Sequence, residues 1–216
     1  MPSAEITPWA LYHRLAALLG PSGWWPADSK FEIAVGAILV QNTNWRNVDR
    51  SLANLKAATG FAPAKLAALS QLELIPLIRP SGFYQNKSRA LVQLFAWLKA
   101  RDFALAQIGA GDPAALRKEL LALPGIGEET ADALRLYVFD QPTFIADNYA
   151  RRLFTWLKVP TKTYAQLQRR LPGVASWALA DAQEFHGLID NFGKTVKTKE
   201  NFDDSPLAGA TLVLAD

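Results

Sequence analysis

Cysteine is absent from all 216 residues. That excludes disulfides, thiolate zinc sites and cysteine-ligated iron–sulfur clusters. Histidine occurs only as His13 and His186, too far apart in sequence to form a metal-ligand motif. No apolar run approaches the roughly 20 residues of a membrane span. The N-terminus lacks the basic-then-apolar order of a signal peptide, so a cytoplasmic location is expected. No strand-like alternation, internal repeat or low-complexity linker is evident, and nothing in the composition marks a domain boundary. The remainder is ordinary for a globular chain, 50% hydrophobic and 20% charged. The net charge of +3 suits an anionic partner but decides little alone.

Helical signals fill the chain, and the expected fold class is all-α. Thr7-Pro8 caps a helix through Leu19, which Gly20-Pro21-Ser22-Gly23 breaks. Trp24-Trp25-Pro26 follows in a loop. Residues 30–40 are apolar nearly all round, as in a buried core helix. Gln41-Asn42-Thr43-Asn44 interrupts, and from Trp45 apolar residues recur on one helical face. Ser70-x-x-Glu73 is a capping box, and Arg79-Pro80-Ser81-Gly82 forms a turn before a helix over 84–99. Further helices are expected over 114–121, 149–158 and 177–192. Leu171-Pro172-Gly173 reads as an ordinary turn, and the tail from Thr195 is polar, then weakly apolar.

The most informative stretch is Leu123–Asp147. Leu123-Pro124-Gly125-Ile126-Gly127 ends one helix, because Pro lacks an N–H and Gly permits positive φ. A second helix starts at once, with Glu128 and Glu129 suiting its positive end. Such a hairpin presents backbone N–H groups that can hold a phosphate whatever the base sequence. Asp147 then stands at the mouth of the next helix. A plain αα-turn and a plain helix N-cap are the bland readings of these two features.

The hairpin, with Asp147 eighteen residues after Glu129, resembles the helix-hairpin-helix glycosylase superfamily, whose best-known member is endonuclease III. The resemblance covers almost the whole chain. Trp24-Trp25-Pro26, Gln41-Asn42-Thr43, Trp45 and Arg79–Tyr84 narrow it to the 3-methyladenine glycosylases of that superfamily. The resemblance implies two helical lobes flanking a DNA cleft: a six-helix lobe over 30–139 carrying the hairpin, and a discontinuous lobe from 1–29 plus 140–216. It implies a monomer acting on double-stranded DNA that contains alkylated bases, on the bacterial nucleoid and away from membranes.

The family's chemistry maps onto named positions. A buried base must be extruded before it can be cleaved. Gly125 and Gly127 would grip the backbone, and the carbonyls of Leu121, Leu123 and Ile126 would hold an alkali cation, K+ or Na+. Phe83 would be the wedge entering the duplex, with Gln41 and Asn42 on the opposite side; the bland readings are core and polar turn. Trp24, Trp25, Pro26 and Trp45 would wall a pocket whose rings attract a cationic alkylpurine, although Trp45 also suits a core. Asp147 would stabilise the oxocarbenium-like sugar and orient water. Glu129 would assist, or merely compensate the helix dipole. Lys194 would approach the pocket, where a role beside a cationic base needs a neutral or carbamylated side chain; the bland reading is a solvated or phosphate-contacting lysine. Lys87, Arg89, Arg151 and Arg152 are candidate phosphate contacts.

Two departures sharpen the expectation. The cluster cysteines of endonuclease III are missing, so the tail is ordered differently or loose, and no cofactor is implied beyond the alkali ion. Glu129 stands where bifunctional members carry the Schiff-base lysine, and a carboxylate cannot be that nucleophile. The resemblance thus implies a monofunctional enzyme that hydrolyses the N-glycosidic bond without cutting the strand. A monofunctional glycosylase for a mismatched or other damaged base is the competing enzyme. A hairpin protein that binds DNA without chemistry is the competitor from another class.

Overall fold

The computed structural model describes residues 4–214, and the chain is mostly helical. It divides into two compact units, one of Ala27–Gln141 and one of Met1–Pro26 with Pro142–Asp216.

The continuous unit holds eight α-helices rather than six: α2 (Lys30–Leu39), α3 (Trp45–Thr59), α4 (Pro63–Ala68), α5 (Gln71–Ile78), α6 (Tyr84–Lys99), α7 (Leu105–Gly109), α8 (Pro113–Leu121) and α9 (Glu128–Tyr137). Ser29 caps α2 by accepting from Glu32 N–H, and Ala34 through Leu39 are all buried. This helix is the core about which the unit is built, packed on α3, α6 and α9. Burying Ile38 or Leu39 contributes about 1.5–3 kcal/mol each. The Ser70–Glu73 capping box opens α5, and a 3-10 turn over Arg79–Ser81 leads to α6.

The hairpin joins α8 to α9. Gly125 has φ +83°, and a Cβ there would lie 2.8 Å from the Ala90 Cβ. Any larger residue would both strain the turn and push it off α6. Arg117 of α8 grips the fully buried Asp132 of α9 with two bonds, Nε–Oδ1 at 2.9 Å and NH2–Oδ2 at 3.0 Å. Arg135 reaches the same carboxylate and Gln141, whose amide donates to the Gly109 and Gly111 carbonyls. Each buried charge is thus paired, the condition for tolerating it.

The discontinuous unit holds α1 (Pro8–Leu19), α10 (Asn148–Trp156), α11 (Tyr164–Gln168), α12 (Leu179–Thr195) and α13 (Lys199–Asp203). Both α1 and α10 pack on α12. Leu171-Pro172-Gly173 enters a short 3-10 turn over Pro172–Ser176. A strand pair that the sequence reading lacked joins the two ends of the chain: β1 (Glu5–Ile6) runs parallel to β2 (Thr211–Leu212). Two-residue strands show no detectable period, which is why alternation missed them. The tail is anchored, with Phe202 and Leu207 buried and the Phe202 ring 5.3 Å from that of Trp156.

Candidate functional site

Within the discontinuous unit, α12 organises the candidate chemistry. His186, Asp190 and Lys194 recur every fourth residue, and so share one helical stripe. Gly187, beside that stripe, sits against the tryptophan loop. A Cβ at 187 would lie 2.4 Å from Ser22 Oγ and 2.7 Å from Trp24 Cβ. The loop is tied to α12 by Ser22, whose N–H and hydroxyl donate to the Glu184 carboxylate at 2.7 and 2.6 Å. Asn191 donates to the Ser22 carbonyl at 3.0 Å. Trp24 and Trp25 are half-buried, their ring centroids 5.0 Å apart, and Pro26 is exposed beside them.

Lys194 lies against this loop. Its Nζ pairs with the Asp190 carboxylate and sits 4.5 Å from the Trp24 ring centroid. Burial pushes the Asp190 carboxyl up, and the Lys194 ammonium opposes that shift. A cation therefore already occupies the Trp24 face, balanced by a carboxylate.

Asp147 is the N-cap of α10, and its Oδ1 accepts from Ala150 N–H at 2.7 Å. The capping and catalytic readings of this residue are compatible, because only one carboxylate oxygen is committed by the cap. Its Oδ2 lies 3.9 Å from His186 Nε2. Burial, reinforced by the nearby Lys194 charge, pushes His186 down to about 3. The imidazole is thus neutral at physiological pH. Of these three, Lys194 alone stood out in sequence as a pocket candidate, and Asp190 belongs to no motif. The four-residue recurrence ending at Lys194 was the signal available.

The remaining candidates belong to the continuous unit. The 3-10 turn ends at Gly82, and Phe83 follows with φ +46° and 65% exposure. Asn42 is exposed with φ +52°. Gln41 turns inward: its amide donates to the Gly125 carbonyl at 3.1 Å and to Thr130 Oγ1 at 2.9 Å, linking its loop to the hairpin. Trp45 is half-buried as the first residue of α3. Glu129 is exposed in the first turn of α9, whose N-cap is Gly127 with no side-chain cap. The first-turn amides of such a helix end are suited to an anion. In the hairpin, the Leu123 carbonyl accepts from Ile126 N–H at 3.1 Å and keeps a second lone pair.

Two basic candidates are corrected. Lys87 is only 2% exposed, and its ammonium donates inward to the Leu39 and Ser81 carbonyls at 2.8 and 2.6 Å. It cannot reach a phosphate, and burial pushes its pKa down to about 8. Arg152 donates to the Gly193 and Val196 carbonyls and lies over the Tyr149 and Trp156 rings, a structural role. Arg151 donates to Asn148, whereas Arg89 is exposed.

A family model described as HhH-GPD superfamily base excision DNA repair protein matches residues 35–176. A protein of Methanocaldococcus jannaschii named as a candidate DNA repair glycosylase is 33% identical over 202 residues, covering 91% of this chain and 92% of its own. The structure of the Helicobacter pylori 3-methyladenine DNA glycosylase MagIII bound to 1,N6-ethenoadenine matches with TM-score 0.76 and 28% identity, over 88% of this chain and 98% of that one. An endonuclease III–DNA complex shares the fold, with TM-score 0.73 and 20% identity over 94% of each chain.

Proposed function

The chain belongs to the HhH-GPD superfamily of base excision DNA repair proteins and is a DNA glycosylase; from that premise we propose that it is monofunctional and removes alkylated purines, 3-methyladenine among them. The observation that carries this reading is the Trp24 ring with an ammonium 4.5 Å from its centre. An aromatic face that receives a cation is suited to a flat, positively charged purine, which would take the face as the ammonium swings away.

In this reading the hairpin amides hold a phosphate, while Phe83 fills the gap left by the extruded base. An alkali ion, carried by the Leu121, Leu123 and Ile126 carbonyls, would add positive charge at the hairpin. The alkylated base is already cationic, so it departs as a neutral base, taking the electron pair of the C1′–N bond. Asp147 stabilises the positive charge left on the sugar and orients water, whose oxygen bonds to C1′ and whose proton passes to the carboxylate and then to solvent. Neutral His186 preserves that carboxylate's charge. Glu129, in place of a lysine, supports hydrolysis without strand cleavage.

The test incubates the protein with methylated duplex DNA and measures free 3-methyladenine. Release is expected from the wild type and is expected to fall at least ~100-fold for Asp147→Asn, the scale of a lost charge-stabilising group. Equal release by both would sink the catalytic assignment. No release from methylated DNA, with release from G·T or G·U duplexes, would support the mismatch reading instead. Borohydride is expected to trap no enzyme–DNA adduct, and a robust adduct would overturn the monofunctional reading.

A further inference from the structure

Lys87 is a buried cation that the proposed chemistry does not use. It lies in the first turn of α6, four residues after Phe83. Its two acceptors are well placed. Leu39 is the last residue of α2, immediately before the loop of Gln41 and Asn42. Ser81 ends the 3-10 turn, immediately before Gly82 and Phe83. The carbonyl end of a helix is the negative end of its dipole and has carbonyls lacking intrahelical partners, so an ammonium is favoured there even when buried. Lysine supplies three donors on a compact head, enough to hold both carbonyls at once.

We infer that Lys87 is a positioning residue, a clamp that fixes the Phe83 wedge in register with the Gln41–Asn42 loop so that the two probe a duplex as one device. The inference rests on the reading of those loops as duplex-entering elements. Gln41 extends the linkage to the hairpin through Gly125 and Thr130, so grip, wedge and opposing loop are joined within one unit. The wedge side has a second brace, since Ser81 N–H donates to Ser51 Oγ of α3 at 3.2 Å. The Leu39 contact is what adds the opposing loop. Without the ammonium, each loop keeps its local turn but loses its spacing from the other.

The test uses a duplex with a tetrahydrofuran abasic analogue opposite 2-aminopurine, which requires no glycosylase chemistry. Two quantities are read: affinity for undamaged duplex, and preference for the analogue with its accompanying 2-aminopurine fluorescence change. Lys87→Met is expected to lower the preference ~10-fold, the scale of a lost charge-assisted bond, and to leave undamaged binding unchanged. Phe83→Ala is expected to lower the preference likewise, and the double variant to show no lower preference than either, because both remove one function. The absence of native cysteine allows chemical rescue: Lys87→Cys, aminoethylated while unfolded and then refolded, should regain the preference.

Additive losses, or parallel loss of undamaged binding, would overturn the clamp. A loss in Phe83→Ala with none in Lys87→Met would also overturn it, leaving the wedge reading intact. No loss in Phe83→Ala would overturn the wedge reading and the clamp with it. Where the variants do not fold, amide exchange of the wild type decides. Residues 40–43 and 80–84 should open together, and independent openings would overturn the clamp.

Discussion

At the scale of single residues, ionisation state is the property most strongly set by burial. His186 titrates near 6.5 in an unfolded chain and near 3 in the folded one. Between those values the unfolded state binds a proton that the folded state refuses. Stability therefore falls as pH drops through this window, with a slope of at most ~1.4 kcal/mol per pH unit for one proton. His186→Asn should melt with a shallower pH dependence between pH 6.5 and 4 than the wild type, and the wild-type resonances that are lost in His186→Asn should not titrate above pH 4. A His186 imidazole that protonates near 6.5 in the folded protein would show that Asp147 faces a cation, contrary to the proposed chemistry. Neither this environment nor that of Lys87 was legible in sequence. Lysine is ordinarily exposed, and only the end of α2 and the turn before Gly82, far apart in the chain, explain why one here points inward. Asp147 was legible as an N-cap because that role depends on its place at a helix start, which local sequence reveals.

At the scale of elements, close approaches between helix and loop do more than the helices' own propensities. The hairpin was readable because Pro124, Gly125 and Gly127 act within five residues. The contact of Gly187 with the tryptophan loop was not, because its partners Ser22 and Trp24 lie more than 160 positions away. A methyl group at 187 has no room, with Trp24 Cβ at 2.7 Å and Ser22 Oγ at 2.4 Å from its position. Gly187→Ala should therefore displace the loop, with overpacking costing about 1–3 kcal/mol. Melting temperature should fall modestly, base release should be largely lost, and affinity for undamaged duplex should hold, since the hairpin is untouched. Unchanged base release would show that the position of Trp24 does not matter to the lesion. Lengths of the strong helices were likewise legible from period and caps, whereas β1, β2 and α13 are too short to carry any period.

At the scale of the whole molecule, one unit is sewn from both ends of the chain, and its integrity depends on how the tail is held without cysteine. The sequence left two options, another source of order or a loose tail. The structure gives the first: Phe202 is 1% exposed and packs on Trp156 of α10, Leu212 lies in the pair with Ile6, and Arg152 collects the Gly193 and Val196 carbonyls where α12 ends. Of these, Phe202 supplies the largest apolar contact, so its removal is the sharpest test of the arrangement. Phe202→Ala should cost about 3–5 kcal/mol of the energy holding the tail, by lost transfer and by the cavity left under α10. Because α13 has only five residues and cannot persist alone, the loss should be local before it is global. Limited trypsin digestion should then cut early at Lys197 and Lys199, releasing the C-terminal peptide, while the hairpin unit stays protected. With the tail gone, β1 loses its partner and the start of α1 loosens, so base release should decline after the cut rather than before it. A variant as trypsin-resistant as the wild type would mean that the strand pair and the Arg152 contacts hold the tail without the aromatic anchor.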